Sequence, residues 1–193
     1  MRTTITLIIL GFIISCSGPD QYENLSSSER TRAVFIDSLI SEMTLVEKIG
    51  QMSQATGSFE FTGPITSDSS TLELVRTGRL GSFLNVVGAE RTRTAQEMAV
   101  NQSRLGIPLI FGYDMIHGYA TTFPIPLAEA ASWDLDLIKK SAAITAKEAA
   151  AAGVHWNFAP MVDIARDPRW GRIMEGAGED PWWGSQVAVA RVQ

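Results

Sequence analysis

The sequence predicts an α/β fold, the N-terminal part of a (β/α)8 barrel that these 193 residues leave incomplete. Three observations predict it. Apolar runs recur at SFLNVV (82–87), IPLIFGYD (107–114) and VHWNFAPMVD (154–163) without polar alternation, as strands covered on both faces require. Helical patterns separate the runs, and strand–helix–strand order is that of parallel β/α architecture. Polar and charged residues gather just past the ends of the second and third runs, where such sheets carry their ligands. A doubly wound nucleotide fold shares that order, but no G-x-G-x-x-G or G-x-x-x-x-G-K-[ST] follows any run. A barrel takes about 250 residues and three strands cannot close one. The chain therefore reads as the first part of a larger protein.

The N-terminus opens with Arg2 and an apolar run from Ile5 to Ile14 broken by Thr6 and Gly11. That run is shorter than the ~20 residues a membrane span needs, and it fits the apolar core of a secretory signal. The ending Ile13-Ile14-Ser15-Cys16 resembles a bacterial lipobox, in which cleavage precedes the cysteine and a diacylglycerol is attached to its thiol. An ordinary cleaved signal with an incidental cysteine is the other reading. Cys16 is the sole cysteine, so an intrachain disulfide is excluded. The expected organisation is a leader over 1–15, a polar, Ser-rich tether over 16–30 and the barrel domain over 31–193. Membrane contact is expected through the lipid anchor alone, with a periplasmic or cell-surface location.

Val34, Phe35, Leu39 and Ile40 recur at helical spacing between Thr31 and Ser41. Thr44-Leu45-Val46-Glu47 reads as a capping box opening a second short helix. Residues 54–70, rich in Gly, Ser and Thr, read as loop, followed by a helix from Ser70 to Thr77. RTGRLG turns the chain into the first apolar run. A polar helix spans 90–104, a short turn of helix Leu127–Ala131, and an alanine-rich helix follows Asp134, its N-cap, as far as the stop at Gly153. Another helix is expected from Gly184.

The chain is 45% hydrophobic and 19% charged, with a net charge of −5, which is globular composition. No basic run or basic–aromatic patch points to nucleic acid. His117 and His155 are the only histidines, 38 positions apart, without the spacing of a zinc site. No G-x-S-x-G elbow is present. Neither a metal nor a cofactor is expected.

Asp114 closes the second run. A carboxylate at a barrel mouth can accept hydrogen bonds from two adjacent sugar hydroxyls; it can also cap a turn or pair with an arginine. His117 either contacts ligand or packs and bonds a backbone carbonyl. Asp163 closes the third run, and ARDPRWGRIMEGAGED (165–180) follows with Arg166, Arg169 and Arg172 at intervals of three. Glu175, Glu179 and Asp180 supply counter-charge. An arginine fork can hold a carboxylate or donate to sugar hydroxyls, and burying such charges costs heavily unless they pair. Trp170, Trp182 and Trp183 could offer stacking faces, but tryptophan more often packs, and none of them is assigned to ligand.

Three segments, MTLVEKIGQM (43–52), IPLIFGYDMIHGYATTFPIPLAEAASWD (107–134) and VHWNFAPMVDIARDPRWGRIMEGAGEDP (154–181), resemble glycoside hydrolase family 3, its bacterial periplasmic β-glucosidases in particular. The resemblance implies an exo-acting, retaining glycosidase acting on terminal non-reducing β-D-glucosyl units of β-glucosides and oligosaccharides. It implies that Asp114 and Arg172 of the WGR triplet bind the terminal sugar; Arg169 and Glu175 match the framework of the motif and, with His117 and Asp163, are given supporting roles only. Retention needs two carboxyl groups about 5–5.5 Å apart. In the family the nucleophile is an aspartate on a later strand and the acid/base a glutamate outside the barrel; a Lys-His pair on an intervening strand also contacts the sugar. None of these segments precedes Gln193, and Asp114 and Asp163 are not substitutes. A β-xylosidase or β-N-acetylglucosaminidase of the same family, and a lipid-anchored sugar-binding protein without chemistry, remain alternatives. These 193 residues alone are expected to release no phenol from an aryl β-glucoside, an expectation that clear turnover by the purified chain would overturn.

Overall fold

The computed structural model describes residues 22, 24–57 and 69–193; Cys16 and the expected leader lie outside them. Backbone contacts divide the chain into two units that part between Glu42 and Met43. In the first unit, α1 runs from Ser27 to Glu42. Ser26 starts it: its N–H donates to the Glu29 carboxylate at 3.0 Å, and its hydroxyl accepts from the Glu29 N–H at 3.4 Å. The helix therefore begins four residues before Thr31 and takes in the end of the expected tether.

The second unit opens with the predicted capping box. Thr44 and Glu47 satisfy each other's backbone N–H groups at the start of α2 (Leu45–Gln51). Four strands then form one parallel sheet in chain order: β1 (Gln54–Thr56), β2 (Ser82–Leu84), β3 (Ile110–Tyr113) and β4 (Trp156–Asn157). Helix α3 (Ser69–Arg76) joins β1 to β2, and α4 (Ala89–Gln102) joins β2 to β3. Helices α5 (Pro126–Ala131) and α6 (Leu135–Ala151) lie between β3 and β4, and α7 (Pro181–Val192) follows β4. This is the front of a (β/α)8 barrel, left open.

Strand β1 falls in the stretch that reads as loop. It is three residues long and only Ala55 joins the core, so neither alternation nor an apolar run marks it. The apolar runs are longer than the strands they contain. Asn85, at φ +65°, turns the chain after β2, a backbone region asparagine tolerates better than most residues. Helix α7 starts three residues before Gly184, with the Asp180 carboxylate accepting the Trp183 N–H at 2.7 Å. Asp followed by Pro is a helix-start signal in its own right.

The period of two along each strand sorts side chains between two faces. Ala55, Phe83 and Phe111 share one register and face α3 and α4, in a core with Val75, Ala99 and Leu109. Gln96 of α4 fixes the entry to β3: its carboxamide accepts the Leu109 N–H at 2.8 Å and donates to the Leu109 carbonyl at 3.3 Å. The opposite face carries the row Thr56, Leu84, Gly112 and Trp156. Gly112 leaves room for the Phe158 ring, which would lie 2.8 Å from a Cβ there and would have to shift to admit one. A second core joins α5, α6 and α7 through Ala130, Ile138, Trp183 and Val187.

Glu47 also ties α2 to the segment after α4, receiving Arg104 Nε at 3.0 Å. The Arg104 guanidinium, followed by the Thr44 N–H and hydroxyl, holds the Glu47 carboxyl down to about 2 from an ordinary 4.5. A carboxylate with a depressed pKa stabilises the fold above its unfolded pKa and loses that contribution as pH falls through the folded one. E47Q is therefore expected to melt below wild type at pH 7, with the gap closing as pH drops from about 4.5 towards 2; thermal melts of both proteins across that window check it.

Candidate functional site

Strand β3 delivers Asp114 to its C-terminal end, where the residue is exposed. The segment after it doubles back as a tight hairpin: the Phe123 N–H donates to the His117 carbonyl at 2.8 Å, and Gly118 bridges to Thr122. Gly118 sits at φ +111°, and a Cβ there would lie 1.9 Å from the Thr121 carbonyl, so no other residue fits. Glu148, near the end of α6, grips the hairpin by accepting the N–H groups of Ala120 and Thr121, both at 2.9 Å. Those donors and the Thr121 hydroxyl, the largest cause, hold its carboxyl below the ordinary value.

Asn157 ends β4, and its Oδ1 accepts the Met115 N–H and the Ala159 N–H, each at 3.1 Å. Beyond it the chain forms a long loop closed by the Ala165 N–H bonding the Gly178 carbonyl at 3.1 Å. Asp163, Arg169, Arg172 and Glu175 all lie on this loop. Arg169 pairs with Asp167, Nε to Oδ1 at 2.9 Å, which raises the pKa of the one and lowers that of the other. Arg169 is thus turned to its own loop. Arg172 donates from Nε to both oxygens of Glu175 at 3.0 Å, Glu175 closing a single 3-10 turn, Ile173–Glu175. Glu175 raises the pKa of Arg172 most, and Asp114 and Asp163 lie near enough to add to the effect. In return the Arg172 guanidinium lowers the Glu175 carboxyl.

Asp114, just past β3, and Asp163, on the loop after β4, thus lie near enough to Arg172 for their charges to act on it, while Glu175 holds it directly. Among the described residues neither the Asp114 nor the Asp163 carboxylate receives a hydrogen bond, and Nη1 of Arg172 has no acceptor. Two acceptor-only groups beside a free donor edge match the hydrogen-bonding needs of adjacent hydroxyls on one ring. His117 is exposed and its imidazole bonds nothing among the described residues, so it is not the packed, carbonyl-bound histidine that is one of the sequence alternatives. Trp183 is packing: it is buried, stacks on Trp133 with centroids 4.4 Å apart, and donates Nε1–H to the Ala130 carbonyl at 3.1 Å. No cluster of three or more His, Cys, Asp or Glu able to hold a metal occurs among the described residues.

Sequence reasoning missed the side chains that hold these loops. Glu129 and Arg191 form an ion pair, Oε2 to Nη1 at 3.0 Å, with side chains 4% and 7% exposed, and Arg191 Nη2 reaches the Ile116 carbonyl at 2.8 Å. Burial lowers the pKa of Arg191, and Glu129 opposes the shift. A charge inside PLAEAA and another in the last turn of a helix read as solvent-facing. No signal in one sequence marks them as partners 62 positions apart.

Residues 44–193 match the family model of the glycosyl hydrolase family 3 N-terminal domain. The chain belongs to glycoside hydrolase family 3. It is 38% identical over 172 residues to a periplasmic β-glucosidase of Salmonella typhimurium, covering 89% of this chain and 22% of that protein. A β-xylosidase of Formosa agariphila is 29% identical over 187 residues, covering 96% of this chain and 21% of that protein. Among solved structures, a β-glucosidase from Listeria innocua in complex with isofagomine superposes with a TM-score of 0.72 at 42% identity, over 82% of this chain and 22% of that one. The family 3 chain described here thus spans about a fifth of the length of these relatives.

Proposed function

We propose that the whole protein is an exo-acting, retaining β-glucosidase, and that Asp114 and Arg172 grip hydroxyls of the terminal glucosyl unit. The observation that carries the reading is an Asp114 carboxylate at the end of β3 that accepts no hydrogen bond among the described residues and lies near enough to Arg172, on the loop after β4, for the two charges to act on one another. The β-glucosidases among its relatives support it. Asp163 adds negative charge beside Arg172, Glu175 aims the guanidinium, Arg169 braces the loop, and His117 stands exposed three residues past Asp114. The carboxyl groups that break the glycosidic bond are assigned outside residues 1–193. The chemistry is a double displacement at the anomeric carbon, through a covalent glycosyl intermediate that water then hydrolyses. No cofactor enters it.

A β-xylosidase is the second reading, favoured by the relatives of that activity. The two sugars differ by the C6 hydroxymethyl group, so a pocket that bonds it separates them. In the intact protein, 4-nitrophenyl β-D-glucopyranoside is expected to outrun the xylopyranoside and the N-acetylglucosaminide, and β-glucose to appear first by proton NMR. D114N is expected to lower kcat/KM by about 10- to 100-fold, the range for losing a hydrogen bond to a charged group. Wild-type kcat/KM in D114N would remove Asp114 from the sugar site, and binding of glucose without turnover would favour the non-catalytic sugar-binding protein.

We also assign Cys16 as a lipid attachment site that holds the protein in the periplasm or at the cell surface. The lipobox-like stretch before it and a periplasmic relative support this. Metabolic labelling with radioactive palmitate is expected to mark the wild type and not C16S; equal labelling would sink the assignment.

A further inference from the structure

We propose that Arg191 and Asn157 are positioning residues for the sugar site, clamping the first and third peptide groups that follow Asp114. The inference rests on the reading that Asp114 binds sugar. Immediately after Asp114, the Met115 N–H donates to Asn157 Oδ1 at 3.1 Å and the Ile116 carbonyl accepts from Arg191 Nη2 at 2.8 Å. Between these bonds the Met115 side chain is 2% exposed. On the other side, the Tyr113 carbonyl accepts the Phe158 N–H at 3.2 Å. Asp114 is the exposed residue between two fixed flanks.

Asn157 does a second job with the same atom. Its Oδ1 also accepts the Ala159 N–H at 3.1 Å, at the start of the loop that carries Asp163 and Arg172. Only the oxygen of a carboxamide can accept, so two donors converging on it fix its orientation. One side chain therefore ties the Asp114 segment to the start of the loop that carries Arg172.

The Arg191–Glu129 pair is hard to explain by stability. Both side chains are buried, and an apolar pair of similar volume in such a place is often as stable or more so. The surroundings already suit one, since Ala130, Ile138, Trp183, Val187 and Ala190 pack between α5, α6 and α7. What an apolar pair cannot do is donate to the Ile116 carbonyl. The arginine fork does both tasks, Nη1 to Glu129 and Nη2 to Ile116, which suits its fixed planar geometry.

The test uses the intact protein with 4-nitrophenyl β-D-glucopyranoside, or the xylopyranoside if that is turned over faster, and with D-glucose as inhibitor. E129L/R191M removes both charges and leaves neither orphaned. It is expected to melt within a few degrees of wild type while kcat/KM falls roughly 10- to 100-fold, the scale of a small misplacement of a binding group, and glucose inhibition weakens in step. R191K keeps the pair with Glu129 but offers one nitrogen where the fork used two, and should fall between wild type and the double variant. If the double variant does not fold, R191K decides. Wild-type kcat/KM and glucose inhibition in a folded clamp variant overturn the inference. D114N serves as the reference: if it loses activity and the clamp variants do not, the clamp alone fails. If D114N itself matches wild type, the sugar reading of Asp114 fails and the clamp falls with it.

Discussion

The site depends on one constraint, the parallel pairing of β3 with β4 in the register Gly112↔Trp156 and Tyr113↔Asn157. Neighbouring strands lie about 4.8 Å apart. In a parallel pair both chains leave the sheet at the same end. Residues just past the two strands are therefore neighbours, whatever their separation in sequence. Asp114 is the first residue past β3, and the loop that carries Arg172, 58 positions on, leaves β4 beside it and folds back near enough for the two charges to act on one another. The intervening helices set the length of the connection; the ladder sets which residues leave the sheet side by side. Gly112 is part of the same constraint, because its missing side chain is what admits the Phe158 ring beside β3.

The charge density of ARDPRWGRIMEGAGED follows from what the loop must do. It leaves a two-residue strand and has no ladder to hold its shape. Arg169 with Asp167, and Arg172 with Glu175, replace ladder bonds with side-chain bonds inside the loop. Exposed pairs of this kind contribute little to global stability, and their role here is local geometry. The Arg172 pair differs from the Arg169 pair in what surrounds it. Arg169 is answered by one carboxylate, whereas Arg172 lies in the field of Glu175, Asp114 and Asp163. That surplus of acceptors over donors is what makes the end of the sheet suited to a neutral ligand rich in hydroxyl donors.

Much of this was legible in the sequence because the signals were local. The capping box at Thr44–Glu47 and the N-cap at Asp134 each follow from residues within four positions. The sequence also shows Glu175 as counter-charge near the arginines, and the structure pairs it with Arg172, three residues away. The parallel order followed from apolar runs alternating with helical patterns. What stayed hidden was either too short or too distant. Strand β1 is a three-residue strand with a single core residue. Asn157 sits in an apolar run and looks like an interruption rather than a hinge pin. Glu129 and Arg191 each lie on a helix where a lone charge normally faces water, and only the packing of α5 against α7 shows that they share one interior.

The weakness of the β3–β4 ladder makes those hidden residues necessary. The ladder between these strands has two paired positions, with one further bond at either end, from the His155 N–H to the Phe111 carbonyl and from the Phe158 N–H to the Tyr113 carbonyl. Such a ladder fixes direction but leaves the first residues beyond it free to swing, and a binding site tolerates errors of well under an ångström. Met115 and Ile116 lie past the last paired residue, so their polar groups need partners from elsewhere or from water. Asn157 and Arg191 supply those partners from two elements that do not move together by default. A charged donor such as Arg191 forms a stronger bond than a neutral one, which suits the member of the clamp that reaches farthest, from the last turn of α7 to the strand exit. The cost of burying its charge is offset by Glu129, and the return is a carboxylate at Asp114 whose backbone has nowhere else to go.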